Sequence, residues 1–315
     1  MITNFPNGVS SYGVPLIGSG PILTTGDVRF VSSTRGSDGN DGQSPDRPWS
    51  TVDYSVGRMG ASRGDTVIVM PNHAETSTNT AGFWAFDVAG LTYIGIGHFN
   101  QRPRLLLDAG TTASVTVSAA DVKLQNFEIA AGTADVTNAI DVTAVGFWAD
   151  QIEFNDNVAD ENFFIAIDAA GTTDGEVNGL TVTNCRYVTA DALTQQFVRL
   201  AADVTMFRFH HNLMVSELTA TESMIECATG KDLKLCHITN NMVSNKGGDG
   251  WVFISNDTAS PNNSGVIAYN FMGHADTTGA HAAPGAVGGC RFFENYSVST
   301  DALSGILLRA ADVDL

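Results

Sequence analysis

Val122-Lys123-Leu124-Gln125-Asn126-Phe127, Leu180-Thr181-Val182-Thr183-Asn184-Cys185 and Val266-Ile267-Ala268-Tyr269-Asn270-Phe271 share one layout: a short apolar strand, an asparagine, then another apolar residue. The layout returns at His211-Asn212-Leu213, Asn240-Asn241-Met242 and Glu294-Asn295-Tyr296, and imperfectly at Asn155, which Asp156 follows. Asn126, Asn155, Asn184, Asn212, Asn241, Asn270 and Asn295 are spaced by 29, 29, 28, 29, 29 and 25 residues. That period is too long for a hairpin, and the intervals lack the ~12-residue helical patterns of a βαβ unit or a helical repeat. Three short strands and three turns per coil fit it, each strand lying parallel to its counterpart about 4.8 Å away. The expected fold is all-β: a single-stranded, right-handed parallel β-helix with rungs of about 29 residues.

Asparagine suits such a bend, because it tolerates the left-handed conformation and its amide can bond the same amide one rung away. The seven asparagines are therefore expected to form a structural ladder. Phe127, Cys185, Leu213, Met242, Phe271 and Tyr296, which follow them, are expected to stack inside. Before Asn212 the apolar alternation falls on Phe207 and Phe209, and before Asn126 on Val122 and Leu124. This one-residue shift requires bulges between rungs or a different local alignment.

A solenoid needs covered ends, since open edge strands invite aggregation. Ser50-Thr51-Val52-Asp53 reads as a helix start with Trp49 and Tyr54 as a hydrophobic staple, and Val52, Val56 and Met59 form one apolar face that Gly60 ends. A capping helix over about 50–60 is expected, followed by the strand Thr66–Met70. Gly36-Ser37-Asp38-Gly39-Asn40-Asp41-Gly42, then Arg47-Pro48-Trp49-Ser50-Thr51 and Gly64-Asp65-Thr66-Val67, resembles the opening of pectin-lyase-like right-handed β-helix proteins. The resemblance is specific over residues 28–71 and extends in repeat character to 315. It implies fold and leaves activity open, because that superfamily mixes lyases, hydrolases, epimerases and non-catalytic virion proteins.

Residues 1–26 carry Pro and Gly punctuation, scattered apolar residues and no charge. They are expected to form an extended docking arm, neither helix nor strand, with 27–315 as the β-helix domain. Exposed Phe5, Pro6, Tyr12, Pro15, Leu16 and Ile17 would be costly in water unless docked on a partner. This opening resembles those of tailed-phage structural proteins. What that resemblance implies is a capsid decoration or cement protein on the outer surface of the virion, assembled in the host cytoplasm. Its partner would be the major capsid protein or another virion protein, with a homotrimer favoured.

Composition narrows the alternatives. The formal charge of −18 repels phosphate backbones and argues against nucleic-acid binding. No apolar run reaches the ~18 residues of a membrane span, and the first residues lack a signal-peptide pattern. Cys185, Cys227, Cys236 and Cys290 show no metal-ligand spacing, so buried free thiols are expected, and no metal or cofactor.

Enzymes of the resembled fold act on polysaccharides along an outer face, with clustered carboxylates and a base in lyases or close aspartates in hydrolases. Aligning rungs on the asparagines yields one outward cluster, Arg208, His210 and His237, with Glu153 as the nearest carboxylate, two rungs back. That spacing, about 10 Å, gives no acid/base pair. The acidic run Asp150, Asp156, Asp160 and Glu161, the pair Asp174 and Glu176, and the glycine-flanked Asp249 read as solvated turns. Two functions are carried forward: a non-catalytic virion component, and a polysaccharide lyase or glycoside hydrolase, free or in a tailspike.

Overall fold

The computed structural model describes residues 10–11, 14–15, 26–78, 82–156, 161–189, 196–216, 223–245, 252–256, 262–274, 289–299 and 308–309. The chain is a parallel β-helix with very little helix. Each coil contributes a strand to sheet A, bends, adds a strand to sheet B, and returns through a strand of sheet C. Among the described residues, sheet A stacks ten strands, from Val28–Val31 to Cys290–Phe293. Sheet B stacks ten, starting at Ala74–Thr76, and sheet C seven, from Ala85–Phe86 to Val252–Asn256. The last strand of sheet B, Leu308–Arg309, runs antiparallel to Tyr296–Ser299, so that sheet closes on a reversed strand in place of another rung.

Side chains alternate in and out along each strand, so one residue per strand builds each interior column. In sheet A, Tyr93, Leu124, Ala149, Val182, Phe209, Ile238 and Ile267 stack in register. Sheet B supplies Leu105, Ile129, Phe154, Tyr187, Met214, Val243 and Met272. Sheet C supplies Val115, Ile140, Ile167, Val198, Ile225 and Ile254. All are buried, each large aliphatic contributing about 2 kcal/mol.

The register corrects the expected asparagine column. Lys123, Trp148, Thr181, Arg208, His237, Val266 and Arg291 align, so successive coils take 25, 33, 27, 29, 29 and 25 residues. The bend from sheet A to sheet B is one left-handed residue per coil: Asn126, Gln151, Asn184, His211, Asn240, Tyr269 and Glu294, with φ between 50° and 62°. The next position holds Phe127, Ile152 and Cys185, then switches to Asn212, Asn241, Asn270 and Asn295. Asn126 and Asn184 thus make the bend, while the last four asparagines sit one residue later and point inward. Asn155 belongs to neither column, being the third residue of the sheet B strand Glu153–Asp156.

Those four asparagines are hydrogen-bonded in series. Asn212 Nδ2 donates to Asn241 Oδ1 (3.1 Å), Asn241 to Asn270 (2.9 Å) and Asn270 to Asn295 (2.8 Å), and each also donates to a strand carbonyl. Each Oδ1 also accepts from a backbone N–H of the preceding rung, and Asn212 Oδ1, at the head of the series, accepts from Cys185 N. Cys185 continues the pattern with sulfur: its Sγ accepts from Ile152 N at 3.4 Å. The residues after the asparagines lie elsewhere than expected. Only Phe127 and Cys185 are interior, whereas Leu213, Met242, Phe271 and Tyr296 form an outward column on sheet B, with Met242 49% exposed.

The cap is shorter than expected. The helix covers Val52–Val56, with Thr51 Oγ1 accepting from Tyr54 N. It gives way after Val56 to tight turns, Arg58 N to Ser55 O and Met59 N to Val56 O, and Gly60 N–H donates to Asp65, a buried residue that leads into the next strand. Trp49 and Tyr54 meet edge-to-face at 6.0 Å. The glycine-rich loop wraps Trp49: Asn40 Nδ2 donates to Pro48 O, Trp49 Nε1 donates to Asn40 O, and Asp38 accepts from Ser50 N. Gly42 has φ +63°, and a Cβ there would lie 2.7 Å from the indole. Glu75 fastens the helix to sheet B, accepting from Val52 N, Trp84 Nε1 and His73 Nε2. His73 Nδ1 accepts from Ser33 N–H, which leaves Nε2 as the protonated nitrogen.

In the arm, Ser10–Ser11 and Val14–Pro15 pair as a two-stranded antiparallel hairpin, against the expectation of no strand. Phe5, Pro6, Tyr12, Leu16 and Ile17 lie outside the described residues. The four cysteines are free and buried.

Candidate active site

The sequence-derived patch is brought together on sheet A. Arg208 and His237 are in-register neighbours, and the rings of His210 and His237 are 6.4 Å apart. His211, at the bend, places its Nδ1 2.9 Å from that of His210. Burial holds the His210 imidazole below its ordinary pKa, helped by His211 and His237. The carboxylate of this face is Asp150, two rungs before His210, and not Glu153. Asp150 is already engaged by Thr183 Oγ1 and Asn184 Nδ2, both at 2.9 Å, with Lys123 at 3.8 Å. Glu153 faces outward from sheet B between Arg102 (2.6 Å) and Arg186 (2.9 Å). The patch therefore has basic groups without an acid/base counterpart.

Sheet C holds a different arrangement. Its outward column, in register, reads Thr116, Asp141, Asp168, Arg199, Glu226 and Ser255. Asp141 and Asp168 lie on adjacent rungs, about 4.8 Å apart along the stack. Asp168 is 7% exposed, and its Oδ1 has no hydrogen-bond partner among the described residues. Its Oδ2 lies 3.6 Å from Arg199. Burial pushes the Asp168 carboxyl up to about 6; Arg199 opposes this, and Asp141 and Glu226 add to it. The Asp141 carboxyl is also raised, by burial, while hydrogen bonds from Asn138 and Ser114 favour its ionised form. Glu226 accepts from Gln196.

Sequence reading passed over this column, although its signal is present. Ala139-Ile140-Asp141-Val142, Ala166-Ile167-Asp168-Ala169, Phe197-Val198-Arg199-Leu200 and Met224-Ile225-Glu226-Cys227 each place one charged residue inside an apolar strand. A charge in that setting is retained only at a cost in desolvation.

A cavity lies elsewhere. A groove of about 820 Å³ runs along the bend between sheets A and B, lined by Phe99, Arg102, Asn126, Glu128, Glu153 and Arg186 among others. Its carboxylates are both neutralised, Glu128 by Arg104 at 3.2 Å and Glu153 by the two arginines named above. Acid/base chemistry needs a carboxyl whose proton is available near neutral pH. Of the carboxyls described here, Asp168 on sheet C comes nearest to that condition. Among the described residues no three His, Cys, Asp or Glu side chains converge as a metal-ligand set.

No protein-family description matches the sequence, and no curated protein does. Solved structures with a similar course of chain include a rhamnogalacturonan lyase, 12% identical, with 86% of this chain aligned to 87% of that one and a TM-score of 0.44. A GH136 lacto-N-biosidase from Eubacterium ramulus is 10% identical over 86% of this chain and 67% of that one, with a TM-score of 0.32. Likeness at this level carries no argument about activity. The site is read from its own geometry.

Proposed function

We propose that the protein hydrolyses glycosidic bonds of a polysaccharide laid against sheet C. The reading is carried by the stacked pair Asp141 and Asp168, both buried enough to raise their pKa values and differently solvated by their neighbours. Asp168, titrating near 6, is the acid: it protonates the leaving oxygen as the glycosidic C–O bond breaks. Asp141, whose anion is favoured by hydrogen bonds from Asn138 and Ser114 against the raising effect of burial, attacks the anomeric carbon. Water, deprotonated by Asp168, then displaces Asp141 and releases the sugar. Adjacent-rung spacing suits this retaining route, which needs carboxyl groups about 5 Å apart, better than the inverting one at about 6.5–9.5 Å.

The test is release of reducing ends from a panel of neutral and acidic polysaccharides. Wild-type protein is expected to cleave at least one, and Asp168→Asn to be slower by about 10²-fold or more. No release from any substrate, or equal release by the variant, overturns the assignment.

For residues 1–26 we propose docking on a virion, with the major capsid protein or another virion protein as partner and a trimer as the docked form. The support is a wholly uncharged segment in a chain of net charge −18. Deleting residues 1–20 is expected to leave a folded protein that no longer binds capsids; decoration by the truncated form overturns this role.

A further inference from the structure

We propose that the groove between sheets A and B is a second ligand site, for a neutral oligosaccharide. It lies on a different face from the carboxylate pair and does not depend on the catalytic reading. Three features of the groove converge on this ligand.

Its wall is built, not incidental. Asn126 Nδ2 donates to Gly95 O (2.8 Å) and Gly97 O (3.0 Å), pinning the segment that leads to Phe99. Gly95 has no room for a side chain, since a Cβ would meet Asn126 O at 2.2 Å, and Gly97 has φ +127°. The bend asparagine thus holds a loop upright at the groove's edge.

That loop presents an aromatic ring to solvent. Phe99 is 89% exposed, at φ +49°, a backbone conformation that bulky residues rarely adopt. An apolar ring held out of the core at a strained position gains free energy only when something covers it. The flat C–H face of a pyranose is one such cover.

The remaining lining offers hydrogen bonds without net charge. Within the lining Arg102 and Arg186 stand against Glu128 and Glu153, two charges of each sign, with both arginines paired to Glu153. Arg102 Nε is shielded from solvent and has no hydrogen-bond partner among the described residues. Gln125, Gln151 and Asn184 add amides that both donate and accept. Ring hydroxyls, donors and acceptors at once, match these groups. An anionic polymer would instead approach Glu128 and Glu153 on a chain that already carries −18.

The experiment is calorimetric titration of the full chain carrying Asp168→Asn, so that any cleavage at sheet C does not consume the ligand. The probes are cellohexaose, xylohexaose, mannohexaose and maltohexaose, with hexagalacturonate as the anionic comparison. At least one neutral hexaose is expected to bind, and adding Phe99→Ala is expected to weaken it about tenfold or more, with an unchanged circular dichroism spectrum. Binding of none of the neutral probes, binding of hexagalacturonate alone, or equal affinity with Phe99→Ala overturns the proposal. Loss of cleavage with retained hexaose binding separates the two sites.

Discussion

Replacing Asp168 by asparagine should stabilise the fold at high pH while slowing turnover by about 10²-fold or more. The wild-type carboxyl titrates at about 6 in place of 3.8, so the folded chain holds this proton more tightly than the unfolded chain. The stability it contributes is therefore full below 3.8 and is lost as the pH rises through about 6. Above that range the folded protein carries an anion whose burial costs about 3 kcal/mol relative to an unshifted group. Asparagine has the same shape and no charge at any pH. In urea unfolding at about pH 4.5 and pH 8, the stability of Asp168→Asn relative to wild type should therefore rise by about 2 kcal/mol. Arg199 loses an anionic neighbour in the variant, but Glu226 stands on its other side in the same column, which limits the offset. A difference that does not change with pH, or a variant less stable than wild type at pH 8, would refute the reasoning.

Two other perturbations follow from the same structure. Asn241→Ala removes both amide atoms from the middle of the buried series, stranding Asn212 Nδ2, Asn212 N–H and the Phe209 carbonyl; a loss of about 3 kcal/mol is expected in urea unfolding. His210 is held below its ordinary pKa in the folded state, so its stabilising contribution is present above about 6.5 and lost as the pH falls through the folded value. Wild type should accordingly lose more stability than His210→Gln on acidification from about pH 7.5 to 5.5, and equal losses would remove the shift from the account.

The coil repeat is legible in the sequence because one backbone requirement, a left-handed residue after each sheet A strand, recurs with every turn. What misleads is that asparagine answers two requirements one residue apart. Asn126 and Asn184 satisfy the bend, and Asn212, Asn241, Asn270 and Asn295 the inward hydrogen-bonded series, so equal spacing conceals a change of column. A slip of one residue reverses every side chain, which is why Leu213 and Met242 face outward against expectation. The cluster Arg208, His210 and His237 survives the slip because all three lie in sheet A, where the coil that joins them, Arg208 to His237, has the same 29 residues as the asparagine spacing. Asp141 and Asp168 were hidden because their spacing of 27 is set in sheet C, away from the asparagines used as anchors. Phe99 carries no repeat signal at all; its position follows from glycines and one amide that only three-dimensional contact brings together.

The claim on which the account rests is that burial raises the Asp168 carboxyl to about 6. Carbon-detected NMR of the aspartate side-chain carboxyls, assigned through the loss of one signal in Asp168→Asn, measures it directly. The account predicts a titration midpoint at about 6 for that signal; a midpoint near the ordinary 3.8 would contradict it.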